Sequence, residues 1–121
     1  TARSLNDLSG YLAVICDTDE ILYASGEGKK ELNKKPVSER LEKIMKDRRS
    51  YLANLAEGGD IVPISDTADL RITAQVIVPI VSGGDCLGAV SLLSSEEGAK
   101  IENGAVNLAR LTADILANQF E

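Results

Sequence analysis

Few side chains in this sequence could do chemistry, and they fall into two groups. Cys16 and Cys86 are its two thiols. A thiol reacts when it is accessible and a neighbouring cation lowers its pKa. Cys16 shares a strand face with Leu12 and Val14, the pattern of a buried and inert thiol, while Cys86 opens a strand just after a turn and is the more accessible of the two. The second group is polar. Arg71, Thr73 and Gln75 alternate along a strand, Ser25 ends another, and Arg48 falls in helical register with Val37, Leu41 and Ile44. The Arg48 guanidinium suits a carboxylate or phosphate, and Tyr51 adds a ring and a hydroxyl. The plainer reading of all six is a solvated sheet face beside an amphipathic arginine at a helix edge.

The residues that are missing exclude more. The 121-residue chain has no histidine, which removes Ser-His-Asp and Cys-His catalysis, histidine metal sites and the commonest pH switch. Two cysteines cannot make a four-thiolate zinc site. Gly26-Glu27-Gly28-Lys29 lacks the spacing and the hydroxyl residue of a phosphate loop, and Asp17-Thr18-Asp19-Glu20 lacks the glycine and the last glutamate of a calcium loop. No catalytic residue, metal ligand or cofactor is therefore assigned. With no tryptophan and a net charge of −6, the chain is ill suited to stacking bases or gripping a phosphate backbone. Cysteines this few and far apart suit a reducing cytoplasm, and no apolar run is long enough to span a membrane. The chain opens at Thr1 with no methionine, which fits a piece of a longer protein.

The elements that must position these residues follow from periodicity. One domain's worth of chain, 44% of it hydrophobic, can bury a sizeable core. Leu5 and Leu8 stand at helical spacing before Gly10, a helix stop. Residues 11–16 and 21–24 read as strands joined by the Asp17–Glu20 turn, where aspartates cap their own backbone. Residues 37–49 form an amphipathic helix started by Pro36 and Ser38, and Leu52 and Leu55 extend it as a second short helix before Gly58-Gly59. Residues 61–64 are an edge strand, because Pro63 cannot donate to a ladder. Residues 70–81 are the longest strand, with Leu70, Ile72, Ala74, Val76, Val78 and Ile80 on one face, and Ser82-Gly83-Gly84-Asp85 turns it into a strand over 86–93. The last helix carries Ile101, Ala105, Leu108, Thr112 and Ile115, widened by Ala109, Leu116 and Phe120, with Ser94 and Glu97 as a capping box at its start. The sum is an α+β domain around an antiparallel sheet.

Within that order, Tyr11-Leu12-Ala13-Val14-Ile15-Cys16-Asp17, a turn, and Ile21-Leu22-Tyr23-Ala24-Ser25-Gly26 resemble the opening hairpin of PAS and GAF sensory domains. Val78-Pro79-Ile80-Val81, a Gly-Asp turn and Leu87-Gly88-Ala89-Val90 are similar to the late hairpin of GAF domains. Lys29-Lys30-Glu31-Leu32-Asn33-Lys34-Lys35, Ser38-Glu39-Arg40-Leu41-Glu42 and Asp47-Arg48-Arg49-Ser50 resemble the C-terminal domains of the stage V sporulation protein T family, transcriptional regulators of spore-forming Firmicutes. The resemblance covers about residues 5–120. It implies a single GAF-like domain over 1–121, with terminal helices packed on one face of the sheet and a pocket on the other. It also implies an AbrB-like DNA-binding domain ahead of this chain, and nothing here matches that domain.

The resemblance orders the candidate roles. Ser25, Arg48, Tyr51, Arg71, Thr73 and Gln75 become candidate ligand contacts in a cavity between the sheet and residues 37–56. Leu5, Leu8, Ile101, Ala105, Leu108, Thr112 and Ile115 become candidate contacts of a homo-oligomer built through the terminal helices, although the same stripe could simply cover the sheet. Residues 29–49 hold nine Lys or Arg against four Asp or Glu, and the rest of the chain four against fifteen. That basic segment could touch DNA beside a DNA-binding domain, pair with a second subunit, or be a solvated helix face. The expected function is signal sensing in a sporulation regulator: a small ligand favours one arrangement of the helices and so sets the DNA-binding domain. The alternatives are a ligand-free oligomerisation or protein-interaction scaffold, and a thiol enzyme like the GAF-fold methionine sulfoxide reductases.

Overall fold

A computed structural model describes residues 1–119. Phe120, expected on the stripe of the last helix, lies outside the described residues. The order is α1 (Ala2–Ser9), β1 (Leu12–Asp17), β2 (Ile21–Ser25), α2 (Glu39–Asp47), β3 (Tyr51–Asn54), β4 (Ala74–Ser82), β5 (Asp85–Ser94) and α3 (Asn103–Asn118). Every strand pair is antiparallel, in the spatial order β2-β1-β5-β4-β3. β1 and β5 are central and covered on both faces, which is why they read as continuous apolar runs rather than alternating ones.

Two cores result. Ala13, Ile15, Val76, Val78, Val90 and Leu92 point to the face covered by α1 and α3. Leu12, Val14, Cys16, Ile77, Ala89 and Leu93 point to the face covered by α2 and the irregular segments around it. α3 meets the sheet through Ala105, Ala109, Ala113 and Ala117, small side chains that let its backbone lie close to β4 and β5. The terminal helices thus share one face, as the resemblance implied.

Local chemistry sets the turns. The Asp17 Oδ1 accepts from the Asp19 and Glu20 amides at 2.8 and 2.7 Å, closing the β1–β2 turn. Gly83 and Gly84, with φ of 59° and 85°, supply the paired positive dihedrals of a two-residue hairpin between Ser82 and Asp85. Ser38 caps α2 by accepting from the Leu41 amide at 3.0 Å.

Four expectations are corrected. Residues 52–55 are not a second helix: Arg48 takes a left-handed conformation that ends α2, and Leu52 then pairs with Val76 on the free edge of β4. The three-residue spacing of Leu52 and Leu55 therefore marks a strand and the short 3₁₀ turn after it, with both side chains exposed. Residues 61–64 join no ladder, because a side chain, described below, takes the place of a strand partner. The long strand starts at Ala74 rather than at residue 70; Ile72 packs into the α2-side core while Ala74 faces α3, so the alternation breaks at Thr73. Ser94 and Glu97 form no capping box, since β5 runs to Ser94 and α3 begins only at Asn103.

Candidate functional site

The six polar candidates do not converge. Gln75 is fully buried and holds both backbone groups of Val62, accepting from its amide at 2.6 Å and donating to its carbonyl at 2.9 Å. The Thr73 hydroxyl donates to the Glu96 carbonyl at 2.6 Å, and the Tyr51 hydroxyl to the Asp60 carbonyl. These three are fully engaged inside the chain. Arg48 sits exposed at the end of α2, lining an open cleft of about 580 Å³ with Lys46 and Cys86. Ser25 borders a shallow groove beside β2. Arg71 lies elsewhere again.

The cavity expected between the sheet and residues 37–56 is filled. Leu32, Leu41, Met45, Val62 and Ile64 occupy that space, each no more than 2% exposed. Among the described residues, no buried side-chain nitrogen or oxygen lacks a partner.

Arg71 borders a smaller concavity of small-molecule proportions, a slot of about 160 Å³ at the end of the sheet. Four pieces of chain build it: the end of α1 with Tyr11 and Leu12, the turn around Glu27, residues 70–72, and residues 93–96. Backbone turns, hydrogen bonds and close packing place them. Gly10, at φ 77°, stops α1 and turns the chain into β1. Asn6 donates to the Tyr11 carbonyl at 2.8 Å. Gly26 and Gly28, both at positive φ, carry Glu27 between them, and a Cβ on Gly28 would stand 3.0 Å from Leu70. Thr73 ties the 94–96 link through its amide to the Ser94 carbonyl at 2.8 Å and through its hydroxyl to Glu96. A residue read from sequence as a ligand contact thus positions the slot's rim.

The slot also joins the two terminal helices. Tyr11 follows α1, and its hydroxyl donates to the Lys100 carbonyl at 3.3 Å and accepts from the amide of Glu102, the residue capping α3, at 3.4 Å. Tyr11, Glu27 and Glu96 escaped the sequence reading. The glycines flanking Glu27 were the available signal, and they read only as a turn.

The terminal-helix candidates divide. Leu5, Ile101, Ala105 and Thr112 are buried within the chain and hold α1 and α3 to the sheet, so they present no surface to a second copy. Leu108 is half-buried against the same core. Leu8 and Ile115 are exposed by 75% and 50%, joined by Leu111 at 57%, which the stripe excluded. Part of the basic segment is paired internally, Arg40 with Asp60 at 2.6 Å and Lys46 with Glu42 at 3.4 Å.

Both cysteines are free. Burial pushes the Cys16 thiol from its ordinary value of 9.0 up to about 12. Cys86 is half-buried, and its sulfur donates to the Gly88 carbonyl at 3.2 Å. A disulfide-based thiol reagent at pH 8 is expected to titrate one thiol, Cys86, in the folded chain and the second only after unfolding. Because folding raises the Cys16 pKa, the stability that its burial confers is whole below pH 9 and is lost as pH climbs toward 12. Two thiols reacting at equal rates at pH 8 would contradict this burial.

A five-stranded antiparallel sheet with its terminal helices on one face and an irregular helical layer on the other is the architecture of GAF domains. The whole chain, residues 1–121, matches the family described as stage V sporulation protein T C-terminal, transcription factor. The chain belongs to that family. It is 35% identical over 121 residues to the stage V sporulation protein T of Bacillus subtilis (strain 168), a match covering 99% of this chain and 65% of that protein. The chain therefore spans just under two-thirds of this relative's length. In structure it is similar to the cofactor-binding GAF domain of the nutrient sensor CodY from Clostridium difficile, with a TM-score of 0.68 and 15% identity, covering 99% of this chain and 81% of the other. It is also similar to the type II free methionine-R-sulfoxide reductase from Thermoplasma acidophilum, with a TM-score of 0.70 and 11% identity over 97% and 84% of the two chains. Both likenesses are to the fold. Among the described residues, no helix is long and apolar enough to cross a membrane.

Proposed function

We propose that this chain is the sensing part of a sporulation transcription regulator, taking a small ligand in the Arg71 slot and relaying its presence through α1 and α3. The observation that carries this reading is the slot's position. Its walls include the end of α1 and the link that leads into α3, and the Tyr11 hydroxyl bridges the two. A ligand that binds one setting of these walls better than another shifts the helices by that difference in affinity.

The same helices expose Leu8 on α1, and Leu111 and Ile115 one turn apart on α3, apolar surface suited to a second copy. Self-association there, in the intact regulator, would fix the spacing of a DNA-binding domain preceding residue 1. Sedimentation velocity is the test: the chain is expected to run as a dimer or larger, and the double variant Leu111→Glu/Ile115→Glu as a monomer with an unchanged far-UV circular dichroism spectrum. Both substitutions are at exposed positions, so the fold tolerates them. A wild-type monomer at about 100 µM, a concentration that would populate even a micromolar dimer, overturns the helix-mediated assembly.

The filled α2-side core favours a second reading, an oligomerisation scaffold with no ligand. It differs in requiring no change in mass or melting temperature with any metabolite. A thiol enzyme is disfavoured by the buried, unreactive state of Cys16, which leaves Cys86 without a resolving partner.

A further inference from the structure

We infer that the Arg71 slot takes a free α-amino acid with a short aliphatic side chain, its carboxylate on Arg71, its ammonium on Glu27 and Glu96, and its side chain on Leu70. The inference rests on reading the slot as the ligand site, and adds the chemical class.

Charge and size select that class. Arg71 has no ion-pair partner among the described residues, and its fork matches a carboxylate. Glu27 and Glu96 line the same slot, so an anion alone meets two like charges and a cation alone meets Arg71. A zwitterion satisfies both signs. Two acids against one base also disfavour phosphates and dicarboxylates. Leu70, half-buried in the slot's wall, supplies apolar surface that a bare head group would leave uncovered. The volume of about 160 Å³ equals about five water molecules' share of the liquid, which matches a head group with a few carbons.

The charged residues are exposed, so each contact is weak alone and the affinity should fall between micromolar and millimolar. Neither charge can then be dispensed with. Isothermal titration of the 121-residue chain with L-leucine and L-valine is the direct measurement, with 4-methylpentanoate, 3-methylbutylamine and glycine as controls. The first two controls keep the carbon frame and lose one charge each; glycine keeps both charges and loses the frame. Leucine or valine is expected to bind, and each control about tenfold or more weakly. Arg71→Gln and Glu27→Gln, both at exposed positions, are expected to weaken leucine by a similar factor while leaving the melting temperature of the unliganded chain unchanged.

Equal binding of leucine and 4-methylpentanoate overturns the zwitterion assignment, as does undiminished binding by Arg71→Gln. Native mass spectrometry of the chain purified from cells separates this failure from that of the broader reading. An adduct of other composition, lost in Arg71→Gln, keeps the slot as the ligand site and overturns the amino acid. No adduct, together with no heat from either amino acid at about 10 mM, overturns both.

Discussion

Replacing Gly88 by alanine is expected to lower the melting temperature by about 15 °C, the largest effect of any single methyl group in this chain. The reason is proximity rather than dihedral freedom. Gly88 lies in β5, opposite Asp17 of β1 on one side and Ile80 of β4 on the other. A Cβ built on it would stand 1.9 Å from the Cys16 carbonyl oxygen, 2.9 Å from the Cys16 carbonyl carbon and 3.0 Å from the Asp17 Cα. All three are backbone atoms, so no rotamer change relieves the contact. β1 must move away from β5, and that pair is the seam on which both cores are built. Overpacking against backbone at such a seam costs about 4 kcal/mol, and a domain of this size loses about 4 °C per kcal/mol.

A control isolates the cause. Gly84→Ala, in the adjoining hairpin, meets no atom within 4 Å and bears only the strain of a side chain at φ 85°, about 1–2 kcal/mol. Thermal unfolding followed by circular dichroism should rank the two variants, with Gly88→Ala the less stable by a wide margin. If Gly88→Ala melts within a few degrees of the wild type, β1 and β5 are not held as closely as described.

Gly88 also shows where the sequence could be read and where it could not. It belongs to the late GAF hairpin, and the hairpin was legible because Gly83-Gly84 between two apolar runs has one economical conformation. The β1–β2 turn was legible for the same kind of reason, since Asp17 carries its own acceptor. Both signals are local. What the sequence hid is non-local. Leu52 has helical spacing to Leu55, yet the free edge of β4 claims it as a strand residue. The α3 stripe was correct in period but not in depth: Ala105, Ala109, Ala113 and Ala117 form its inner face, which leaves Leu111 outside. Helical periodicity gives the angle between residues around a helix, not which angle meets the sheet.

The Arg71 slot was hidden for a related reason. Alternation placed Arg71, Thr73 and Gln75 on one face, which holds only while the chain remains a strand. The strand begins at Ala74, so the three side chains go three ways: Arg71 to the slot, Thr73 to the 94–96 link, and Gln75 to Val62. Glu27 and Glu96, brought to Arg71 from distant turns, leave no trace in any periodicity.

Gln75→Leu is the second substitution expected to be severe, at about 4 kcal/mol. Gln75 is 0% exposed, and Val62, whose amide and carbonyl it holds, is 2% exposed. Leucine fills a similar volume but offers neither acceptor nor donor, so two buried backbone groups lose their partners at about 2 kcal/mol each. Urea unfolding measures the loss, and limited proteolysis locates it, because the freed 61–64 segment should become the first site of cleavage. Gln75→Glu sharpens the test. Its carboxylate can accept from the Val62 amide but faces the Val62 carbonyl with no proton to donate. Burial and that carbonyl raise its folded pKa above the ordinary glutamate value, so its stability is retained at acid pH and lost as pH rises through the raised pKa. The wild-type amide has no such dependence. A ligand-contact role makes the opposite forecast: both variants would unfold like the wild type and differ only in binding. A Gln75→Leu chain as stable as the wild type would therefore return Gln75 to the ligand and leave the 61–64 segment to its bonds with Ser38 and Arg40.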